Sequence, residues 1–208
     1  MATDAAIRQQ YVRRGIALEY LTIGWNVLEC LVAVTAGYIA GSVALVGFGV
    51  DSAVESASGS VLLWRLHAER RGRHVETIER TALKMVGGSF FLLAAYVAYD
   101  SAVMLIQRKE PERSVIGIVL AIVSLIVMPL LARAKRRAAT NLRSAALRAD
   151  SRQTSLCAYL SAILVGGLVL NAALGWWWAD PVAALVMVPI IVNEGKEAIK
   201  GEGCSDCH

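Results

Sequence analysis

The sequence is short of charged residues. Asp, Glu, Lys and Arg make up 18% of its 208 residues, whereas an ordinary soluble domain carries about 25%. The deficit is uneven, because six apolar blocks are nearly free of Lys and Arg. Each block is close to the ~20 residues that cross a bilayer core as a helix. No stretch is left to build a second hydrophobic core, which excludes a soluble enzyme with a membrane anchor. The composition predicts a polytopic α-helical membrane protein with the lipid bilayer as its surroundings.

Other absences narrow the function. The sequence has no GxxxxGK[ST] loop to bind ATP. Its three histidines all lie outside the apolar blocks, so no histidine pair could ligate haem there, and no Ser/His/Asp set is visible. Residues 1–15 are polar and lack the apolar core of a signal peptide. These absences argue against a membrane enzyme or electron carrier.

The apolar blocks predict the domain organisation. They indicate six transmembrane helices at residues 16–40, 42–65, 82–106, 114–132, 150–172 and 179–198. Residues 1–15 are expected to form an amphipathic cytosolic lead-in helix. Residues 16–198 would form the transport domain, and residues 199–208 a short cytosolic tail. The predicted fold class is therefore an all-α membrane protein, a bundle of six transmembrane helices.

Basic residues set the expected orientation of this bundle. Lys and Arg number 18 on one side of the predicted membrane and 3 on the other. Because short cytosolic loops retain an excess of Lys and Arg, both termini are predicted to be cytosolic. The net charge of +4 then reflects the basic residues that orient the bundle in the membrane, and no nucleic-acid partner is expected. The protein is expected to be an integral, multi-pass membrane protein, which in a bacterium would lie in the cytoplasmic or inner membrane.

Two carboxylates interrupt the second apolar block, in VDSAVES (50–56). Asp51 and Glu55 are four residues apart and share one helix face, where each costs ~2.5 kcal/mol or more in hydrocarbon. The alternative is that both are protonated or hydrogen-bonded to neighbouring serines. Paired acids inside a membrane are typical of a cation or proton site. Small residues at four-residue spacing also predict that this helix lies inside the bundle.

The fifth block offers a second polar pair, Gln153 and Cys157, also four residues apart. Counting ~1.5 Å per residue from the outer membrane edge places Cys157 level with Glu55. Thiolate, carboxylate and amide oxygen together suit a borderline-to-soft divalent ion better than Mg²⁺ or Ca²⁺. The alternative for Cys157 is a small apolar filler.

Three segments together resemble the cation diffusion facilitator family of divalent-metal efflux transporters. They are AGYIAGSVALVGFGVDSAVES (36–56), RADSRQTSLC (148–157) and WWWADPVAALVMV (176–188). The resemblance covers about residues 16–198 and is to the short form that lacks a C-terminal cytosolic domain. A homodimer is compatible with this resemblance.

The resemblance implies one tetrahedral, Zn²⁺-type site. By position, Asp51 and Glu55 match the family's ligand pair on helix two. Gln153 and Cys157 fall where the family more commonly has His and Asp on helix five. The expected cargo is a divalent transition metal, Zn²⁺ first, with Cd²⁺, Co²⁺ and Fe²⁺ as alternatives, and no resident cofactor is expected.

These residues predict a secondary transporter that exports the metal from the cytosol. Without an ATP site, the energy would come from an ion gradient, and protons are the natural counter-ion because metal ligands must be deprotonated to bind. The alternative function is a metal-binding membrane sensor or scaffold that transports nothing.

Further polar residues carry weaker predictions. Glu29 and Asn26 on helix one are candidates for proton transfer or for contacting the metal ligands. A CxxCH motif is formed by Cys204, Cys207 and His208, and we interpret it as a tail that captures metal. The same spacing is typical of c-type haem attachment. A cytosolic location of the tail argues against haem attachment.

Two aspartates have structural interpretations. Asp100, near the outer end of helix three, is interpreted as water-exposed, with a cavity-lining role as the alternative. Asp150 is interpreted as the N-terminal cap of helix five.

Overall fold

The computed structural model describes residues 2–40, 43–72, 75–108 and 115–200, which form six helices. They are α1 (Ala2–Ala40), α2 (Val43–Arg70), α3 (Val75–Gln107), α4 (Val115–Leu142), α5 (Ala145–Leu174) and α6 (Ala179–Lys200). Within these ranges there is no β-strand. The predicted all-α architecture is confirmed.

The polarity of the bundle is inverted relative to a soluble protein. Large apolar side chains lie on its surface, with Ile39 80% and Ile106 82% exposed, while Glu29 and Lys135 are fully buried. By length and composition, three helices could cross a membrane, over Ile7–Ile39, Glu76–Gln107 and Val115–Leu142. An apolar exterior around buried charges is the arrangement expected when lipid is the solvent. The protein is an integral, multi-pass membrane protein.

Helix α2 contacts α1, α3 and α5. It approaches α1 closely at Gly49, where a Cβ atom would lie 2.6 Å from Val34 Cγ2 and 3.2 Å from the Cys30 carbonyl oxygen. The small-residue pattern predicted this close approach. It was only partly right about burial, because Ala53 and Ala57 of the same helix are exposed.

The helices are longer than predicted at the end where the basic residues cluster. There α1 begins at Ala2 and is continuous with the lead-in helix expected before residue 16. Helix α2 ends at Arg70 and not at 65, α3 begins at Val75 and not at 82, and α4 ends at Leu142 and not at 132. The segment 133–148, predicted to be a loop, is almost entirely helical. The hydropathy of the sequence indicates where a helix passes out of the hydrocarbon core of the membrane. The helix itself can extend further, because its backbone hydrogen bonds remain satisfied outside the membrane.

Charged and polar contacts between helices hold these extended ends. Arg65 of α2 pairs with Glu69, and also with Glu79 of α3 at 2.5 Å. Glu79 in turn accepts hydrogen bonds from the Ser144 hydroxyl and the Ala146 backbone N–H, both at 2.8 Å. The first turn of α5 is therefore capped by a side chain of α3. This contact fixes the start of the helix that carries Gln153 and Cys157.

Candidate functional site

The two acids of α2 and the thiol of α5 lie together inside the bundle. Asp51 is 4% exposed, and Glu55 and Cys157 are each 1% exposed. The Cys157 side chain lies beside both carboxylates. This contact forms because Asp51 and Glu55 share one face of α2, and α5 packs against that helix.

The carboxylates are poorly satisfied in this position. Asp51 Oδ2 and both side-chain oxygens of Glu55 are buried and have no hydrogen-bond partner among the described residues. The neighbouring serines bond elsewhere: Ser52 donates to Glu29 Oε2 at 2.9 Å, and Ser56 donates to the Ser52 carbonyl oxygen. Buried polar atoms normally have partners, so unpaired carboxylate oxygens indicate a place for a cation or for protons.

Gln153 is buried and faces α3. Its side-chain oxygen accepts a hydrogen bond from the Ser89 hydroxyl at 3.1 Å, and its side-chain nitrogen has no partner among the described residues. Across the described part of the chain, no three His, Cys, Asp or Glu side chains are close enough to hold a metal ion. The four-ligand set of Asp51, Glu55, Gln153 and Cys157 therefore stays a prediction.

Helix α1 adds two buried polar side chains. Glu29 and Asn26 are fully buried. Glu29 accepts the hydrogen bond from Ser52 but leaves Oε1 unpaired, and neither amide atom of Asn26 has a partner within the described residues. Their burial is established; their predicted part in proton transfer stays a prediction.

A cavity of about 80 Å³ reaches the site from one end of the bundle. It lies between α2, α3, α5 and α6, and its lining includes Asp51, Tyr96 and Asp100. Asp100 lines this cavity and is partly exposed, which favours the cavity-lining alternative. The Tyr96 hydroxyl crosses directly above Gly47, where a Cβ atom would collide with it. The lining segments are those predicted to lie toward the outer membrane face.

The sequence pattern did not predict that a lysine is buried inside the bundle. Lys135 of α4 is fully buried and pairs with Glu19 of α1 at 3.0 Å and with Asp150 of α5 at 2.5 Å. Ser58 of α2 donates a further hydrogen bond to Asp150 at 3.1 Å. The interpretation of Asp150 as a helix cap was wrong, because α5 begins at Ala145 and places this residue inside the bundle.

The helical spacing of apolar residues in α4 could have predicted that this lysine is buried. Lys135 lies on the same face of α4 as the buried residues Met128, Leu131, Ala138 and Leu142, at intervals of three to seven residues. Its charge also acts on Glu55. A buried cation of α4 therefore lies within electrostatic range of Glu55.

The tail prediction lies outside the described residues. Cys204, Cys207 and His208 belong to residues 201–208, which the structure does not describe.

Comparison with known proteins gives a consistent result. Residues 20–200 match the family model described as the cation efflux transmembrane domain. The uncharacterized transporter sll1263 of Synechocystis sp. is 29% identical over 172 residues, covering 79% of this chain and 55% of that protein. The cation-efflux pump FieF of Shewanella oneidensis is 30% identical over 100 residues, covering 48% of this chain and 32% of that protein. The matched regions thus span about half of the first relative and a third of the second.

Proposed function

Because the chain belongs to the cation efflux family, we propose that it transports metal cations and that its cargo is a divalent transition metal, with Zn²⁺ as the first candidate. We propose further that it moves this ion out of the cytosol in exchange for protons. The metal is the substrate and not a resident cofactor.

One observation carries the proposal. Asp51 and Glu55 lie inside the bundle, three of their carboxylate oxygens have no hydrogen-bond partner in the described part of the chain, and the Cys157 thiol lies beside them. Two carboxylates and a thiolate favour a borderline-to-soft divalent ion over Mg²⁺ or Ca²⁺. We propose that a bound ion draws these three side chains into its coordination sphere, with Gln153 or water as the fourth ligand.

Charge balance favours protons as the exchanged ion. Three anionic ligands around a divalent ion carry a net charge of about −1, and this becomes about −3 when the ion leaves. Such a charge is too costly inside a membrane, so protons would replace the departing metal. Exchange of one metal ion for two or three protons keeps the buried charge small in both states.

The cavity beside Asp51 gives the outer half of a path. Its walls come from α2, α3, α5 and α6, so rocking of the α2 and α5 side of the bundle would open and close it. Asp100 would then be the first carboxylate that a released cation meets on its way out.

Flux measurements test this function directly. The purified protein is reconstituted in liposomes with Zn²⁺ outside and a lumen more acidic than the medium. Zn²⁺ uptake should exceed that of liposomes without a pH gradient, and a protonophore should remove the difference. Uptake that does not respond to the gradient would contradict proton exchange.

The same assay separates a transporter from a metal sensor or scaffold. Both would bind Zn²⁺ at equilibrium, but only a transporter would accumulate it in the lumen. Parallel assays with Cd²⁺, Co²⁺, Fe²⁺ and Mn²⁺ would rank the substrates.

A further inference from the structure

A group of three charged side chains lies about one helical turn from Glu55, on the side away from the cavity at Asp51. We call it the ion triad, and it consists of Glu19 of α1, Lys135 of α4 and Asp150 of α5. Its level along α2 is given by Ser58, which donates a hydrogen bond to Asp150 at 3.1 Å. Beyond Ser58, α2 continues to its basic last turn at Arg70. The ion triad therefore lies between the candidate metal site and the basic ends of the helices.

The ion triad already holds a cation inside the bundle. All three side chains are fully buried, and the Lys135 ammonium lies 3.0 Å from Glu19 Oε2 and 2.5 Å from Asp150 Oδ2. Two ionised carboxylates around one ammonium carry a net charge of about −1. Glu19 Oε1 is also buried and has no hydrogen-bond partner within the described ranges. Because buried charges are normally paired or bound to metals, a divalent ion would balance the two carboxylates more fully than the single ammonium does.

Neutral oxygen atoms complete the surroundings of this cation. The Ser58 hydroxyl donates to Asp150 Oδ1, and the Thr154 hydroxyl oxygen lies 3.4 Å from the Lys135 nitrogen. Both hydroxyl side chains are buried. Carboxylate and hydroxyl oxygens without sulfur or imidazole suit hard divalent ions such as Mg²⁺ and Mn²⁺. The chemistry therefore differs from that of the candidate metal site, which includes the thiol of Cys157.

Thr154 connects the ion triad to the candidate metal site. Its hydroxyl lies near the Lys135 ammonium and also near the Glu55 carboxylate. The charge of Lys135 acts on the same carboxylate. A cation in the place of the ammonium would therefore lie beside Thr154 and within electrostatic range of Glu55.

We propose that Glu19 and Asp150 form a second site for a divalent cation, which the ammonium of Lys135 occupies in this structure. The metal ion and the ammonium exclude each other, so Lys135 must move away before a metal ion binds. The part of this site in transport rests on the proposed function. A metal ion that comes from the basic ends of the helices would bind here before it reaches Glu55, and the returning lysine would close the path behind it.

Metal binding without transport tests the second site by itself. The three candidate ligands are first removed, with Asp51→Asn, Glu55→Gln and Cys157→Ser, so that the result does not depend on the candidate metal site. Adding Lys135→Met then empties the second site. Equilibrium dialysis with Mn²⁺ should find one Mn²⁺ per chain more than in the protein that keeps Lys135. An equal Mn²⁺ content of the two proteins would overturn the proposal.

The matched control neutralises the whole ion triad, with Glu19→Gln, Lys135→Met and Asp150→Asn in the same background. It should bind no additional Mn²⁺. An ion that binds the folded state stabilises it, so Mn²⁺ should raise the temperature of thermal unfolding of the Lys135→Met protein and leave that of the control unchanged. An equal shift in the control would place the ion elsewhere in the protein.

The same pair of proteins covers the case in which Lys135→Met does not fold alone. Purification with Mn²⁺ should then yield folded protein, because the ion supplies the missing positive charge. Failure to fold with Mn²⁺ present, while the neutral control folds, would overturn the proposal.

The transport role has its own measurement. Glu19→Gln leaves Lys135 paired with Asp150 but removes one carboxylate of the second site. The KM for Zn²⁺ uptake into proteoliposomes should rise severalfold with little change in the maximal rate, because fewer ions are attracted to the path. Glu76→Gln, an exposed change on α3, should leave KM unchanged. An unaltered KM in Glu19→Gln would contradict the transport role. Absence of uptake by the wild type would instead contradict the proposed function, and Mn²⁺ binding would still decide the second site.

Discussion

At the scale of residues, the candidate metal site combines side chains that the sequence pattern predicted with contacts that it did not predict. The spacing of Asp51 and Glu55 predicted that they share a face, and the structure buries both. The spacing could not predict that Ser89 of α3 donates a hydrogen bond to the side-chain oxygen of Gln153, because that contact depends on how α3 and α5 pack. Cys157 is accordingly a better candidate ligand than Gln153.

The thiol should set the metal preference. Cys157→Ser replaces a soft ligand by a harder one, so it should weaken Cd²⁺ binding and transport more than those of Zn²⁺. Isothermal titration of both ions and parallel flux assays measure this ratio.

The matched control is Cys30→Ser, a partly exposed cysteine of α1, which should leave the ratio unchanged. A Cys157→Ser protein with wild-type affinity for both ions would show that the thiol only fills space.

At the scale of elements, the number of helices and their outer ends were predictable because apolar runs have sharp borders there. The basic ends were not, because charged side chains that leave the membrane continue the helix and pair with one another, as Arg65 does with Glu79. The same limit hid Lys135. Because this lysine lies in a basic segment, it was predicted to be in a loop. In the structure it is buried on α4 and forms ion pairs with residues of α1 and α5.

This buried ion triad should be essential to the packing of these three helices. Lys135→Met leaves Glu19 and Asp150 buried without a counter-charge. Removing one partner of a buried ion pair costs about 3–5 kcal/mol. The temperature of thermal unfolding in detergent should therefore fall clearly.

Neutralising all three residues, with Glu19→Gln, Lys135→Met and Asp150→Asn together, should recover most of the loss, because no uncompensated charge remains. Arg137→Met, an exposed change on the same helix, is the control and should unfold like the wild type. If Lys135→Met also unfolds at the wild-type temperature, the triad does not stabilise the bundle.

At the scale of the whole molecule, composition alone predicted a membrane bundle, and the inverted polarity of the surface and interior accounts for that composition. Within the described residues, α1, α3 and α4 are long and apolar enough to be identified as spans by length and composition. Helix α2 carries Asp51 and Glu55 inside the bundle, and α5 carries Asp150 and Gln153 there. The polar side chains of these two helices therefore face the interior and not the apolar surface.

The central claim is that the carboxylates of α2 bind the transported metal. Its most direct test is Zn²⁺ uptake into proteoliposomes by Asp51→Asn and by Glu55→Gln, compared with Glu76→Gln, an exposed carboxylate of α3. Circular dichroism and gel filtration establish that each protein is folded. Both site variants should fall to the uptake of protein-free liposomes, because each removes an anionic ligand, while Glu76→Gln should transport like the wild type. Wild-type uptake by Asp51→Asn and Glu55→Gln would contradict the account.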